Sequence, residues 1–359
     1  MMTVDKEELK AVLKEYIDAN YSSSARGMSV YVHSNDFEFL HFTGSIPELN
    51  FTYSKDTLYD MASLTKPMVT ATLIMKYVED GIITLEDSLE TVGLYKPELA
   101  ISKLTIRQLL THTSGLIPDS PLYEQGYEKE DYIKTIGSLF ESRTPTPKEE
   151  YSDLNYILLG FVIESIADKS LDRVASEKIF QPLSMKSSTF NPEVDRGLIA
   201  PTENDPKRGG LVWGKVHDEK SYYLGGVAGH AGLFSTIGDV TKYVSSLISG
   251  KVLRNRTLQT MISPQNISLG GMFGLSWMIK LPRPYSPSPS FGYNAFMGDL
   301  ALDGTFGHTG FTGTSICIEP KSSTYVIILS NRVYPTRNNL GILRFRRSFH
   351  NLVFSNLLA

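Results

Sequence analysis

A single cysteine, Cys317, stands in 359 residues. That excludes an intrachain disulfide and leaves no CxxC pair or Cys/His cluster at zinc spacing. Cys317 sits in the apolar stretch Thr314–Ile318 and reads as a small buried hydrophobe rather than a nucleophile. Basic excess is also missing, since the formal net charge is -4 and the pI is near 6.0. Neither nucleic acid nor an anionic membrane surface is an expected partner. No apolar run reaches the roughly 20 residues that span a bilayer. The N-terminal stretch MMTVDKEELKAVLKEYIDAN is charged and amphipathic, without the apolar centre or small-residue cleavage site of a signal peptide, so a cytoplasmic location is expected. Three catalytic signatures are absent as well. Without G-x-S-x-G an α/β-hydrolase is disfavoured, and without G-x-x-x-x-G-K-[ST] a nucleotide hydrolase is too. Without H-E-x-x-H or similar ligand spacing, no metal is expected.

What is present is ordinary globular composition, 41% hydrophobic and 21% charged, with length for a large core. After the first helix, Gly27–His33 and Phe37–Phe42 read as a hairpin around Ser34-Asn35-Asp36. From Ala62 the apolar period becomes helical and ends at Gly81. Further helices are predicted at Ile106–Leu110, Lys129–Phe140, Leu154–Ala167, Leu171–Phe180 and Val240–Leu247. Residues 191–224 read as a long loop of functional length, holding Trp213, and 282–290 as a Pro-rich surface loop. Strand-like runs at Gly304–Gly310, Thr314–Ile318 and Thr324–Leu329 precede a terminal helix, Asn338–Leu357. The order predicts an α+β fold. Both strand groups share one antiparallel sheet flanked by the N- and C-terminal helices, and a large, mainly helical lobe is inserted between them. The expected division is 1–61 and 290–359 for the sheet lobe, and 62–289 for the helical lobe with its pocket loops.

Three short motifs carry chemistry. Ser63-Leu64-Thr65-Lys66 opens an amphipathic helix, so the hydroxyl and the ammonium share a face close to the positive end of the helix. Both favour a developing alkoxide, which an unassisted serine lacks. Tyr151-Ser152-Asp153 precedes the apolar helix at 154–167, and a phenol beside a lysine ionises more readily and can relay the Ser63 proton. His308-Thr309-Gly310 lies on a predicted strand whose small residues admit close backbone approach. The amide after Gly310, with that of Ser63, forms a candidate oxyanion hole. Singly, each has a plain structural explanation: a capping serine with a solvated lysine, one of nineteen tyrosines beside an N-cap Asp153, a glycine-rich turn.

Together, and in this order, the motifs resemble those of the serine β-lactamase and penicillin-binding-protein superfamily, nearest its class C-like branch of carboxylesterases and D-aminopeptidases. The stretches LLTHTSGL, YSDLNYILLG, GGVAGHAGLFST and SNRVYP support the resemblance, which covers most of the chain. It implies Ser63 as the acylated serine, Lys66 and Tyr151 as its activators, Thr309 and Gly310 as substrate-side residues, and the Phe311 amide as second oxyanion donor. Two departures matter. Asp153 stands where an asparagine is usual, either supporting Lys66 or capping the helix. His308 stands where a lysine is usual, mostly neutral at pH 7 and less suited to a substrate carboxylate. The implied activity is hydrolysis of small esters or amides without cofactor. Alternatives are a hydrolase of β-lactams or D-amino-acid peptides, and a non-catalytic protein retaining the fold. No glutamate is placed as a class A-type deacylating base. His112 and His230 read as structural, and His217-Asp218-Glu219 as a pocket lining or a surface turn.

Overall fold

A computed structural model describes residues 5–143, 148–282 and 295–357. Helix α1 (Lys6–Asn20) leads into the hairpin β1 (Gly27–Ser34) and β2 (Phe37–Ile46), then β3 (Phe51–Thr52) and β4 (Tyr59–Asp60). A helical segment follows, made of a 3₁₀ turn at Ala62–Leu64, a wider π turn at Lys66–Ala71 and α2 (Thr72–Glu79). Next come α3 (Ile106–Leu110), α4 (Lys129–Glu141), α5 (Asp153–Ala167), α6 (Leu171–Ala175), β5 (Thr189–Phe190), β6 (Asn204–Asp205), β7 (Gly210–Leu211) and α7 (Glu219–Tyr223). The chain closes with β8 (Leu233–Ser235), α8 (Ile237–Ile248), α9 (Asn255–Met261), β9 (Met278–Ile279), β10 (Phe306–Thr309), β11 (Ser315–Glu319), β12 (Thr324–Ser330) and α10 (Gly341–Leu357).

Seven strands form one antiparallel sheet in the order β3-β2-β1-β12-β11-β10-β9, uniting the two strand groups as expected. Register is set by apolar pairs such as Val30 with Ile328 and Ile316 with Ile327. All seven residues of β12 are buried, so both of its faces are covered. Helix α1 turns Leu9, Leu13 and Ile17 inward at a four-residue spacing. Its Tyr16 packs on Phe345 and Phe349 of α10, while α8 packs against β1 and β12.

Helix α5 is buried from Leu154 to Ile163, a core helix rather than an amphipathic one. Two corrections concern short elements. The long loop at 191–224 contains the two-residue ladder β6–β7 and the helix α7, which carries Lys220. A strand that periodicity did not show, β9, closes the sheet edge beside β10. The Pro-rich reading of 282–290 falls, from 283 onward, outside the described residues.

Candidate active site

Ser63 is placed by a strained approach. Ala62 has φ +46, the left-handed region that an alanine seldom occupies, and its N–H is held by the Asp60 carboxylate at 2.8 Å. A second small sheet, β4–β8–β5, brings the 229–236 segment alongside. Met61 N donates to Leu233 O at 2.8 Å, and Thr65 Oγ1 accepts from Leu233 N at 3.2 Å. Gly229 lies against α5 so closely that a Cβ there would sit 2.0 Å from Tyr156 O. That contact explains the small residues of the AGHAG stretch.

The ammonium of Lys66, with no exposed side-chain surface, stands 2.9 Å from Ser63 Oγ, 2.8 Å from Asp153 Oδ1 and 3.2 Å from His230 O. Tyr151 hydrogen-bonds with both Lys66 and Ser63, and the Lys66 nitrogen lies 5.0 Å from the centre of its ring. Ser63, Lys66, Tyr151 and Asp153 therefore converge from two stretches of chain some 87 residues apart. The helix cap is Ser152, whose side chain accepts from Leu154 N, so Asp153 does not cap but turns to Lys66.

Burial alone would lower the Lys66 pKa, but Asp153 and Tyr151 outweigh it and hold it above the ordinary lysine value. Burial raises the Tyr151 phenol, and Lys66 with its hydrogen bonds offsets this only in part. Lys66 thus favours the phenolate as expected, while burial keeps the phenol protonated at rest. Asp153 is disfavoured as an anion by burial, yet Lys66, His230 and Lys220 together hold its pKa below the usual carboxylate range. The resting site thus holds an ammonium, a phenol and a carboxylate.

Tyr151 is held by neighbours the sequence did not mark. The His112 ring lies 4.5 Å from it, and His112 Nδ1 accepts from Ser152 N and faces Asn155 Nδ2, both at 3.1 Å. His112 is structural, as expected, but it is Tyr151 that it positions.

His308 lies behind Tyr151. Its ring is fully buried, 6.1 Å from the Tyr151 ring, and its Nδ1 donates to Thr309 O at 2.9 Å. Burial first, and the Lys66 charge second, lower its pKa to about 3, so it stays neutral. It does not line the cleft at Ser63, and neither do Thr309 and Gly310. Gly310 packs tightly against the segment that carries Ser63. A Cβ on Gly310 would lie 2.6 Å from Met61 O and 3.3 Å from the Ala62 Cβ. The following turn is tied to the same segment by Thr312 Oγ1 to Asp60 O at 2.7 Å and Thr314 Oγ1 to Met61 O at 3.0 Å. Arg346 of α10 donates to Thr314 O at 2.7 Å. Phe311 alone of this run reaches the cleft, its ring stacked 5.7 Å from His217.

The cleft encloses about 220 Å³ above Ser63 and Tyr151. Its charged lining was largely missed in the sequence. Lys220 pairs with Asp119 at 2.8 Å, Asp218 at 3.1 Å and Asp153 at 3.3 Å. His230 Nε2 donates to Asp218 Oδ1 at 2.7 Å, so His230 is a cleft residue and not only a packing one. Arg337 pairs with Glu203 at 2.6 Å and Glu219 at 2.8 Å. The quartet His217-Asp218-Glu219-Lys220, the densest charge in the long loop, was the available signal. Asp153, Asp218 and His230 bring three ligand-type atoms within 4.8 Å of one another. Both carboxylates already carry lysine partners, and we read the group as a charge network.

A family model described as Beta-lactamase matches residues 19–350. The chain belongs to this family. Its members are hydrolytic serine enzymes of the β-lactamase and D-alanyl-D-alanine carboxypeptidase type. A protein of Escherichia coli (strain K12) named "Putative D-alanyl-D-alanine carboxypeptidase" is 32% identical over 314 residues, covering 77% of this chain and 69% of that one. In fold, the chain is similar to "EstCE1, a hydrolase with promiscuous acyltransferase activity", with TM-score 0.76 at 18% identity over 97% of this chain and 99% of the other. It is also similar to a "Beta-lactamase/D-alanine Carboxypeptidase from Yersinia pestis", with TM-score 0.70 at 20% identity over 96% and 99%. Among the described residues of this family member, no helix is long and apolar enough to cross a membrane.

Proposed function

We propose that the protein hydrolyses small esters, and amides more slowly, through an acyl-enzyme on Ser63. The observation that carries this reading is the Lys66 ammonium set between Ser63 Oγ and Asp153 beside Tyr151, on the floor of a cleft whose cations are already paired. Lys66, Lys220 and Arg337 each face one or more carboxylates. A substrate carboxylate, as in a β-lactam or a peptide C-terminus, would have to displace an existing ion pair. An uncharged acyl group would not.

In this mechanism Ser63 Oγ attacks the carbonyl carbon while its proton passes to the Tyr151–Lys66 pair. Because both members are protonated at rest, the reactive form is one proton poorer, and rate should rise with pH. The tetrahedral oxyanion is received by the backbone N–H groups of Ser63 and Phe311. Collapse breaks the ester C–O bond, and the leaving alkoxide takes from the Tyr151–Lys66 pair the proton that Ser63 gave up. Water then attacks the acyl-enzyme with Tyr151 as base, and Ser63 is restored.

A second reading, a peptidase for D-alanyl-D-alanine ends, draws on the name of the Escherichia coli relative. Both are tested by kcat/KM for p-nitrophenyl butyrate, a chromogenic cephalosporin and a D-Ala-D-Ala peptide, in wild type and Ser63→Ala. We expect the ester to lead, and Ser63→Ala to lose about 10³-fold or more. Faster peptide or cephalosporin turnover would overturn the substrate class, and unchanged rates in Ser63→Ala would overturn the mechanism.

A further inference from the structure

Lys220 lies outside the three motifs and is used by no step above. It is nevertheless an enclosed cation, with 6% of its side chain exposed, and it comes from α7, far from Lys66 in sequence. Its position is fixed twice. The Tyr132 hydroxyl donates to Lys220 O at 3.0 Å, and Asp218, the N-cap of α7, accepts from Ser221 N at 2.8 Å. The chain therefore invests fixed backbone and three carboxylates in holding one ammonium beside Asp153.

The consequence is a closed charge ring. Lys66 binds Asp153 Oδ1, and Lys220 faces Asp153 Oδ2. Asp218 binds Lys220, His230 binds Asp218, and the His230 carbonyl accepts from Lys66. Asp153 thus serves two cations with its two oxygens. The second ammonium repels the first across the shared carboxylate and so offsets part of the hold of Asp153 on Lys66.

We propose that Lys220 is a positioning residue of the Ser63 site, which shares the Asp153 carboxylate with Lys66 and keeps Asp153 from binding Lys66 too tightly for proton transfer. The inference rests on the acyl-enzyme reading of Ser63. It also accounts for the motif lysine that His308 replaces, since the missing positive charge arrives from a different element.

The groups facing the reactive proton are Ser63, Asp153, Tyr156 and the His230 carbonyl around Lys66, with His112 and His308 behind Tyr151. Around Lys220 they are Asp119, Asp153 and Asp218, with His230 beyond. The nearby histidines His112 and His308 are held neutral by burial. Removing the Lys220 charge makes this surround more negative by one, so the Tyr151–Lys66 pair holds its protons more tightly. Removing the Asp218 charge does the reverse.

The test is the rate of Ser63 labelling by a fluorophosphonate probe against pH, in wild type, Lys220→Gln, Lys220→Arg and Asp218→Asn. Asparagine caps helices as well as aspartate, so Asp218→Asn retains α7. We expect the rising limb to move up by about one pH unit in Lys220→Gln. It should stay in place in Lys220→Arg and move down in Asp218→Asn. Superimposable profiles for wild type and Lys220→Gln, or a shift in the same direction for Lys220→Gln and Asp218→Asn, would overturn the proposal. Should Lys220→Gln not fold, the downward shift in Asp218→Asn decides by itself. Failure of wild type to label at Ser63 would instead overturn the acyl-enzyme reading.

Discussion

Asp153 Oδ1 lies 2.8 Å from Lys66 Nζ, joining the start of α5 to the helical turn that carries Ser63. The pair is buried at the lysine end and a fifth exposed at the aspartate end. Its removal therefore affects both stability and chemistry. Asp153→Asn should cost about 3 kcal/mol, because an ammonium without its carboxylate stays buried, although Lys66 retains Ser63 and a carbonyl. It should also ease loss of the Lys66 proton and shift the rise of kcat/KM to lower pH. Urea unfolding and an ester pH profile check the two effects. An unchanged profile would contradict the assigned role of Asp153.

Restoring the family's lysine at 308 should harm the protein rather than improve it. The position is fully buried and adjoins Lys66 in electrostatic reach, and the backbone carbonyl of Thr309 is its hydrogen-bond partner. His308→Lys would bury a second ammonium, this one without a carboxylate partner, at a cost of about 3–5 kcal/mol. A thermal melt at pH 7 checks this. A midpoint equal to wild type would show that the site accepts the charge.

Three buried histidines make stability fall in acid. His112, His308 and His350 have pKa values driven below the ordinary 6.5 by burial, to about 3 for His308 and about 4 for His350. Below pH 6.5 the unfolded chain takes up protons that the folded one refuses, so stability present above that pH is lost as pH drops towards the folded values. Each contributes up to about 1.4 kcal/mol per pH unit in that window. Urea midpoints at pH 7.5, 6.0 and 5.0 should decline, and His350→Gln should flatten the decline. Midpoints independent of pH would contradict it.

Gly310→Ala should disable the site more than the fold. The new Cβ would lie 2.2 Å from Thr314 Oγ1 and 2.6 Å from Met61 O, two residues before Ser63. Overpacking of this kind costs about 1–3 kcal/mol. The shift falls on the segment carrying both oxyanion amides, so kcat should drop at least about tenfold with KM little altered. Equal kcat in the variant would separate Gly310 from the placement of Ser63.

Much of this was legible where a pattern extends over several residues. The alternation in β1 and β2, the unbroken apolar run of β12, the four-residue stripe Leu9, Leu13, Ile17, and the three-residue step from Ser63 to Lys66 all repeat a geometry that burial enforces. The misses lie where no period can form. The strands β3, β4, β5 and β9 have two residues each and exist only because a neighbour pairs with them. Lys220 looked like one charge in a polar loop, and only packing of α7 against Asp153 gives it a role. His308 sits in a four-residue strand flanked by glycines, too short to tell which way its ring faces. The pull of Lys66 on the Tyr151 proton is legible from the motifs, but burial, the larger influence, shows only in the fold.

The proposed chemistry requires a covalent intermediate on one serine. Wild-type protein mixed with p-nitrophenyl butyrate, quenched in acid within the first turnovers and digested, should give a butyryl adduct on the peptide holding Ser63, absent in Ser63→Ala. An adduct confined to another residue, or ester turnover with no adduct at any time, would contradict it.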